Sequence, residues 1–448
     1  MKVKFLFALL AVFALLAAAC GDDDDESTGD SSSEDTAAED SDTDDTAAED
    51  SGTDDAPAED TGADDAAAGG GAAAVDIDAV LAVDLDACEE APTGDAIKVG
   101  MAMDFGEVSG FADIPGSQAV EHLAALINCA GGINGSPVEV QVQDIQGDPE
   151  VTARATQDLL DFGAHFLIGP PFADFGQPVL QVTEGLVPVF FAASTEPSLP
   201  DIGALSFLVT FDDTKQATAA AEFALEQGIT RAFTFSSPGP YFGYNPEIFT
   251  EVFEAGGGEV LSDQNYVPVD DVDFSAQVNE IAGIADGSEA VYSAMLAFQM
   301  TALRGQLEGQ GLDSITYMGT DAFEATGGLF EDNNEGIIHT THAFIEPGGR
   351  IDTLLASYEA ANGEALESGT FAGLYADSLL LGIQGIADCG CVDGTNDQLE
   401  IGQAIAEITS FDGFTGEMGY AGTNGIPDKP VSIHQVVDGV DVLAASWE

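Results

Sequence analysis

The sequence predicts an α/β fold of two lobes, each built on a doubly wound parallel sheet. Two observations carry that prediction. From residue 96 onward, short β-rich runs alternate with helical patterns, and strands separated by helices lie parallel with helices on both faces. The alternation then starts again, which requires a second sheet. Length agrees, since about 370 residues remain beyond a polar N-terminal stretch, enough for two packed domains.

IKVGMAM (97–103) reads as the first strand. QAVEHLAALIN (118–128) reads as the first helix, with Val120, Leu123, Ala124 and Ile127 on one face. AGGING turns the chain into a second strand, VEVQVQD (138–144). The helix PEVTARATQDLLDF opens on Pro149, and HFLIG (165–169) is the third strand. VPVFFAA (187–193) and SFLVTF (206–211) continue the series. It restarts with KQATAAAEFALEQG and RAFTFSS and runs through PEIFTEVFEAGG, EVLSDQNYV, FSAQVNEIAGI, EAVYSAM and SITYMGT. Ligands of open parallel sheets bind beyond the carboxyl ends of the strands, so two such lobes make a cleft there.

Before the folded part, Lys2 and Lys4 precede an apolar run from Phe5 to Leu16, and Ala17, Ala18 and Ala19 are residues a signal peptidase accepts. Residues 1–19 therefore read as an export signal, because an apolar run of about 12 to 15 residues falls short of the roughly 20 of a spanning helix. The stretch Leu16 to Cys20 resembles the lipobox of bacterial lipoproteins, with Ala17 where leucine is commoner. The resemblance implies that Cys20 is acylated and anchors the chain to the membrane. An ordinary signal peptide before an unmodified cysteine is the alternative. Residues 21–70 hold 21 Asp and Glu with no basic residue, in near-copies such as TAAEDSDTDD and TAAEDSGTDD. A chain this polar and self-repelling cannot offset its ordering entropy, so residues 20–75 are expected to be a disordered acidic tether. A calcium-collecting tail is the other reading of its carboxylates.

The formal charge of −72 is not confined to the tether, since 60 of the 81 acidic residues lie outside it. That surface excludes nucleic acid as a partner, having almost no Lys or Arg to neutralise phosphate. It suggests a saline habitat. Cys88, Cys129, Cys389 and Cys391 remain after Cys20, and in an exported protein two disulfides are the default. Cys88 precedes the first strand and Cys129 ends the first helix, which places both on the floor of the sheet and predicts a bond between them. Cys389 and Cys391 are close enough to bridge each other; a two-cysteine metal site is the alternative.

Catalytic patterns do not emerge: there is no GxSxG, no GxxxxGK and no HExxH. His339 and His342 lie in a strand-like GIIHTTHAFI, where they point to opposite faces, so zinc between them is not expected. The reading is a binding protein and not an enzyme, with no cofactor and no metal.

IKVGMAMDFGEVSG, INCAGGINGSPVEVQVQDIQGDPE, HFLIGP, VPVFFAASTEP, DDVDFSAQVNEI and ITYMGTD, in that order and spacing, resemble the leucine/isoleucine/valine-binding type of periplasmic solute-binding proteins. The resemblance covers nearly all of residues 96–448 and is weakest after about 345. It implies the type I periplasmic binding protein fold: two Rossmann-like lobes, 96–212 plus 345–425 and 213–344 plus 426–448, joined by a three-segment hinge and closing on a small molecule. It also implies ligand-binding positions at Ala193, Ser194 and Thr195, at Asp321, which would pair with a ligand ammonium, and at Asp213 near the hinge. Tyr241 or Phe242 would supply an aromatic lid, with the register in YFGYNP left open. The family's serine position falls on Ala173, a departure that removes a hydroxyl donor. Phe105, Phe111, Phe172, Phe175 and Tyr241 could then line a larger or aromatic pocket. Ser194 and Thr195 could instead cap a helix, and Asp321 could be a loop acid. Implied partners are an amino acid, amide or aromatic acid, separate permease and ATPase subunits of an ABC importer, and the membrane through the lipid anchor. The protein would act as an extracytoplasmic monomer. A ligand-sensing receptor of the same fold, signalling to a membrane protein, is the competing function.

Overall fold

The computed structural model describes residues 73–88, 91–106, 108–325, 334–391 and 398–448. The export signal, Cys20 and the acidic segment through residue 72 lie outside the described residues. Two large sheets organise the chain. The first is five-stranded and parallel throughout, in the order β2-β1-β3-β4-β5, from β1 (Ile97–Met103), β2 (Val138–Asp144), β3 (Phe166–Gly169), β4 (Val189–Phe191) and β5 (Ser206–Leu208). β3 and β4 are buried along their whole length, as strands covered by helices on both faces must be, whereas the edge strand β2 alternates Val inward with Glu and Gln outward.

The second sheet is seven-stranded and departs from the parallel expectation at one end. Its parallel part is β6 (Arg231–Ser236), β7 (Glu259–Asn265), β8 (Ala290–Ser293), β9 (Thr316–Gly319) and β10 (Ile338–Thr341). A two-residue ribbon, β11 (Phe411–Asp412) with β12 (Glu417–Met418), stands apart. β13 (Val431–Val437) then adds antiparallel to β10, and β14 (Val440–Trp447) folds back on β13, giving the order β14-β13-β10-β9-β8-β6-β7. The return is a hairpin through Asp438 and Gly439, both at positive φ, which needs no crossover helix.

Local signals set several helix ends as expected. Asp148 caps the helix Pro149–Phe162 by accepting from the amides of Glu150 and Val151, and Gly163 ends it in the left-handed region at φ 86°. Two helices start earlier than their sequence patterns. The first runs Gly110–Cys129, because its opening turn is held by tertiary contacts: buried Asp113 accepts from the Asp104 amide at 2.8 Å and from the Tyr375 hydroxyl. Gly116, a breaker on paper, is required there, since a Cβ would lie 2.4 Å from the Tyr375 ring. The other runs Pro240–Ala255, so Tyr241 and Phe242 stand in its first turn and not in a loop.

The C-terminal part holds the helices Arg350–Asn362, Gly369–Cys389 and Gln398–Ala406, which share a core with β1 and β3. Gly369–Cys389 is buried almost all round and so shows no amphipathic stripe. The chain thus passes from the first sheet to the second after β5, returns after β10, and crosses again before β13. Buried Lys429 ties two of these passages together, donating to the Val209 carbonyl at 3.1 Å and to Thr415 Oγ1 at 2.6 Å. Asp377 receives the amides of Phe414 and Thr415 beside it. Cys88 and Cys129 are joined, S–S 1.94 Å, as are Cys389 and Cys391 at 1.92 Å.

Candidate functional site

The carboxyl ends of β9 and β10 and the first turns of two helices converge on a buried polar cluster. Asp321, just after β9, accepts from the Tyr241 hydroxyl at 2.6 Å. That hydroxyl also lies 2.8 Å from Thr320 Oγ1 and accepts from the Ala322 amide at 3.1 Å, so the ring is held from three sides. Asp213 opens the helix Asp213–Glu226, where its carboxylate accepts from Gln216 at 2.7 Å and Asn245 at 3.1 Å. Its own amide donates to the Thr195 carbonyl at 2.9 Å, which ties the loop after β4 to this cluster. Gln216 turns its carbonyl oxygen to Thr340 Oγ1 at 2.8 Å and to the Asp321 amide.

A second acid and an imidazole complete the group. Glu324 accepts from the hydroxyl of Thr341, from the His342 amide at 3.0 Å and from His342 Nδ1 at 3.0 Å. His342 Nε2 stands 3.5 Å from Asp321 Oδ2, so one imidazole lies between two carboxylates. Its ring stacks on Phe211, centroids 5.4 Å apart, and meets Phe371 at 6.0 Å. Phe371 continues to Phe111 at 5.5 Å, and Phe111 to the exposed Phe172 at 6.2 Å. An aromatic wall therefore leads from the acids toward solvent.

Burial sets the charge states. It pushes Asp213 well above the ordinary carboxylate range, and the charge of Asp321 adds to this against the donors around it. Burial also raises Asp321, opposed by His342 and Tyr241. Glu324 is different: burial would raise it, but the His342 charge and its donors bring it below the ordinary value. For His342, burial works downward and is outweighed by Glu324 and Asp321, which hold the imidazole above its usual pKa. The cluster thus keeps one internal ion pair, Glu324 with His342, while burial favours the neutral forms of Asp213 and Asp321 in the absence of a cationic partner.

Of the sequence-derived positions, Thr195, Asp213, Tyr241 and Asp321 are brought into this one network. Ser194 is buried beside it, with its hydroxyl accepting locally from the Glu196 amide at 3.4 Å. Ala193 is half-buried against the first core. Ala173 begins the helix Ala173–Thr183 and packs on the core of the first sheet. Phe242 meets Tyr241 edge-on at 5.3 Å and packs on the core of the second sheet. Phe175 is core and Phe105 is exposed, so neither belongs to the aromatic wall. Sequence reasoning missed Gln216, Asn245, Glu324, Phe371 and the site role of His342. HTTH did carry one usable signal: strand alternation separates His342 from His339, and His342 then falls at the sheet's carboxyl end.

Comparison with known proteins agrees with the fold. A family model for periplasmic binding proteins matches residues 96–441. The Leu/Ile/Val-binding protein BraC3 of Rhizobium johnstonii is 28% identical over 225 residues, covering 47% of this chain and 60% of the relative. A leucine-, isoleucine-, valine-, threonine- and alanine-binding protein of Pseudomonas aeruginosa is 24% identical over 336 residues, covering 73% of this chain and 86% of its own length. The chain spans about 60% of the first of these relatives. Among solved structures, the LivJ substrate-binding protein of Streptococcus pneumoniae in complex with isoleucine superposes with TM-score 0.64 at 20% identity, covering 79% of this chain and 99% of that one. A Rhodopseudomonas palustris solute-binding protein in complex with 3,4-dihydroxybenzoic acid gives 0.65 at 18%, covering 79% and 98%. At these identities the likeness is one of fold, and it is the type I periplasmic binding protein fold. With two α/β lobes and a family match over residues 96–441, the chain belongs to the periplasmic binding protein family.

Proposed function

We propose that this chain captures an α-amino acid or a similar small polar molecule between its lobes, 96–212 plus 345–425 and 213–344 plus 426–448, and delivers it to an ABC importer. The observation that carries the reading is the network of Asp213, Tyr241 and Asp321 bonded to the Thr195 loop at the strand ends. Glu324 is paired with His342, while Asp213 and Asp321 are raised by burial and would ionise against a cationic group. Such a balance suits a ligand with a cationic nitrogen better than a bare benzoate. The aromatic wall of Phe111, Phe172 and Phe371 suits a bulky side chain. Contacts made only when both lobes meet the ligand shift the population toward the closed form. In this proposal the mature chain is extracytoplasmic and monomeric, is held to the membrane by acylated Cys20, and is served by separate permease and ATPase subunits.

A thermal-shift screen of the protein against amino acids, amides and aromatic acids tests it. A ligand at a hundredfold its dissociation constant adds about 2.7 kcal/mol of stability, which a melting curve resolves. A selective shift by α-amino acids is expected. Shifts confined to aromatic acids without an amine would discard the ammonium assignment to Asp321.

A further inference from the structure

A second polar cluster lies away from the cleft, where the C-terminal hairpin joins the sheet. His339 of β10 and His434 of β13 face each other directly in the antiparallel register. Asp441 of β14 pairs with Val436, two residues beyond His434, which brings it to the same face. Three adjacent strands thus turn two imidazoles and a carboxylate to one point. His339 Nε2 is 3.1 Å from Asp441 Oδ1, and His434 Nδ1 is 2.6 Å from Oδ2. One ligand atom from each residue falls within a 4.8 Å span. Both histidines are buried, while the Asp441 side chain keeps 23% of its surface exposed.

The hydrogen-bond valences point to a cation. His339 Nδ1 lies 3.1 Å from the Thr340 carbonyl, an acceptor that takes an N–H from that nitrogen. With Nδ1 committed to that carbonyl, Nε2 faces a carboxylate oxygen, a contact that calls for a cation, supplied either by a second ring proton or by a metal ion. Orientation of one ring nitrogen by a backbone carbonyl is the arrangement that readies the other for a metal. His434 turns Nδ1 to the same carboxylate, and its Nε2 is buried without a hydrogen-bond partner among the described residues. Phe323 and Phe344 wall the two rings at 5.7 and 5.6 Å, and neither lysine nor arginine reaches Asp441 among its described partners. Two imidazoles, one carboxylate and one open side match the donor set of zinc-class divalent ions and not the all-oxygen cages of calcium or magnesium.

We propose that His339, His434 and Asp441 bind a single divalent transition-metal ion, with solvent completing its shell on the exposed side of Asp441, and that the ion fastens the hairpin β13–β14 to the parallel part of the sheet. His342 takes no part, since it faces Glu324 in the cleft. The sequence expectation of no zinc considered histidines along one strand, whereas this site is assembled across three.

The test is a Co2+ titration of the chelator-treated full chain in a large excess of Mg2+, which occupies the many surface and tether carboxylates. One equivalent should develop the visible bands of low-coordinate Co2+, be displaced by Zn2+, and raise the melting temperature. His434→Gln and the near-isosteric Asp441→Asn should each lose the bands and the metal-dependent shift while far-UV circular dichroism shows them folded. A pale six-coordinate spectrum in the unsubstituted chain, or bands that persist in both variants, would overturn the site and leave the trio as an ion-paired staple.

Discussion

The two walls of the proposed cleft are built on different principles. The wall on the second sheet, with Asp213, Tyr241, Asp321, Glu324 and His342, is charged and bonded to itself before any ligand arrives. The wall on the first sheet offers small residues, Ala173, Ala193, Ser194 and Thr195, beside an aromatic face. On the second wall the desolvation of Glu324 is offset by His342 and its donors, whereas burial still raises Asp213 and Asp321, which leaves those two carboxyls to be ionised by a cationic partner. In the proposed function the first wall is left to read shape. The largest effect should come from cutting both at once: Thr195→Ala with Asp321→Ala is expected to abolish ligand-dependent closure in small-angle scattering. Closure that survives the double substitution would place the ligand elsewhere.

The second wall alone is probed by His342→Ala. His342 is 1% exposed and its partner Glu324 8%, so removing the imidazole strands a buried acid, at a cost of about 3 to 5 kcal/mol. The pH dependence has two edges. Glu324 is depressed, so its contribution is present above the unfolded carboxylate pKa and fades as pH falls through the folded value. His342 is raised, so its contribution is complete below the unfolded imidazole pKa and fades as pH rises through the folded one. Denaturant melts should therefore show a stability plateau across mildly acidic to neutral pH that the variant lacks. An unchanged profile would mean that the pair is not ionised.

The same contrast marks what the sequence let one read. Alternating runs and turn glycines identify β1 to β9 and GIIHTTHAFI identifies β10, because each strand's burial pattern is written in its own residues. The tail was opaque for two physical reasons: the helix Gly369–Cys389 is apolar all round, and β13 owes its place to pairing with β10, far away in sequence. In the site, Asp213 and Asp321 were reachable through resemblance at strand ends. Gln216, Asn245 and Glu324 were not, since a polar residue in a helical turn looks the same whether it faces water or a carboxylate. Helix starts erred where tertiary contacts decide, as when Tyr375 closes over Gly116.

Between the walls, Lys429 fastens the crossings, and its effect is smaller. Burial lowers its pKa from 10.5 to about 8, although Asp377 and Glu324 pull the other way. The folded chain therefore releases this proton before the unfolded chain does. Stability should rise with pH between those two values, by at most roughly 1.4 kcal/mol per unit. Lys429→Met should flatten that slope in urea melts read against the unsubstituted protein. Equal slopes in the two would show that the ammonium is solvated.

The smallest change asks whether the first wall reads only shape. Ala173 stands where the resembling family places a serine, at the opening of the helix Ala173–Thr183 and half-buried beside Phe172. If the ligand's carboxylate lies over the Ala193 to Thr195 loop, Ala173→Ser adds a donor to a charged group. That contact contributes roughly 1.5 kcal/mol, about tenfold in affinity for an α-amino acid. Calorimetric titration of the variant measures it directly. Weaker binding would instead mean that ligand side chain fills the space the hydroxyl enters, so the missing serine is what gives this cleft room along Phe111, Phe172 and Phe371. In that case the second wall holds the ligand's charge unaided, and the two walls divide recognition more sharply than their sequences suggest.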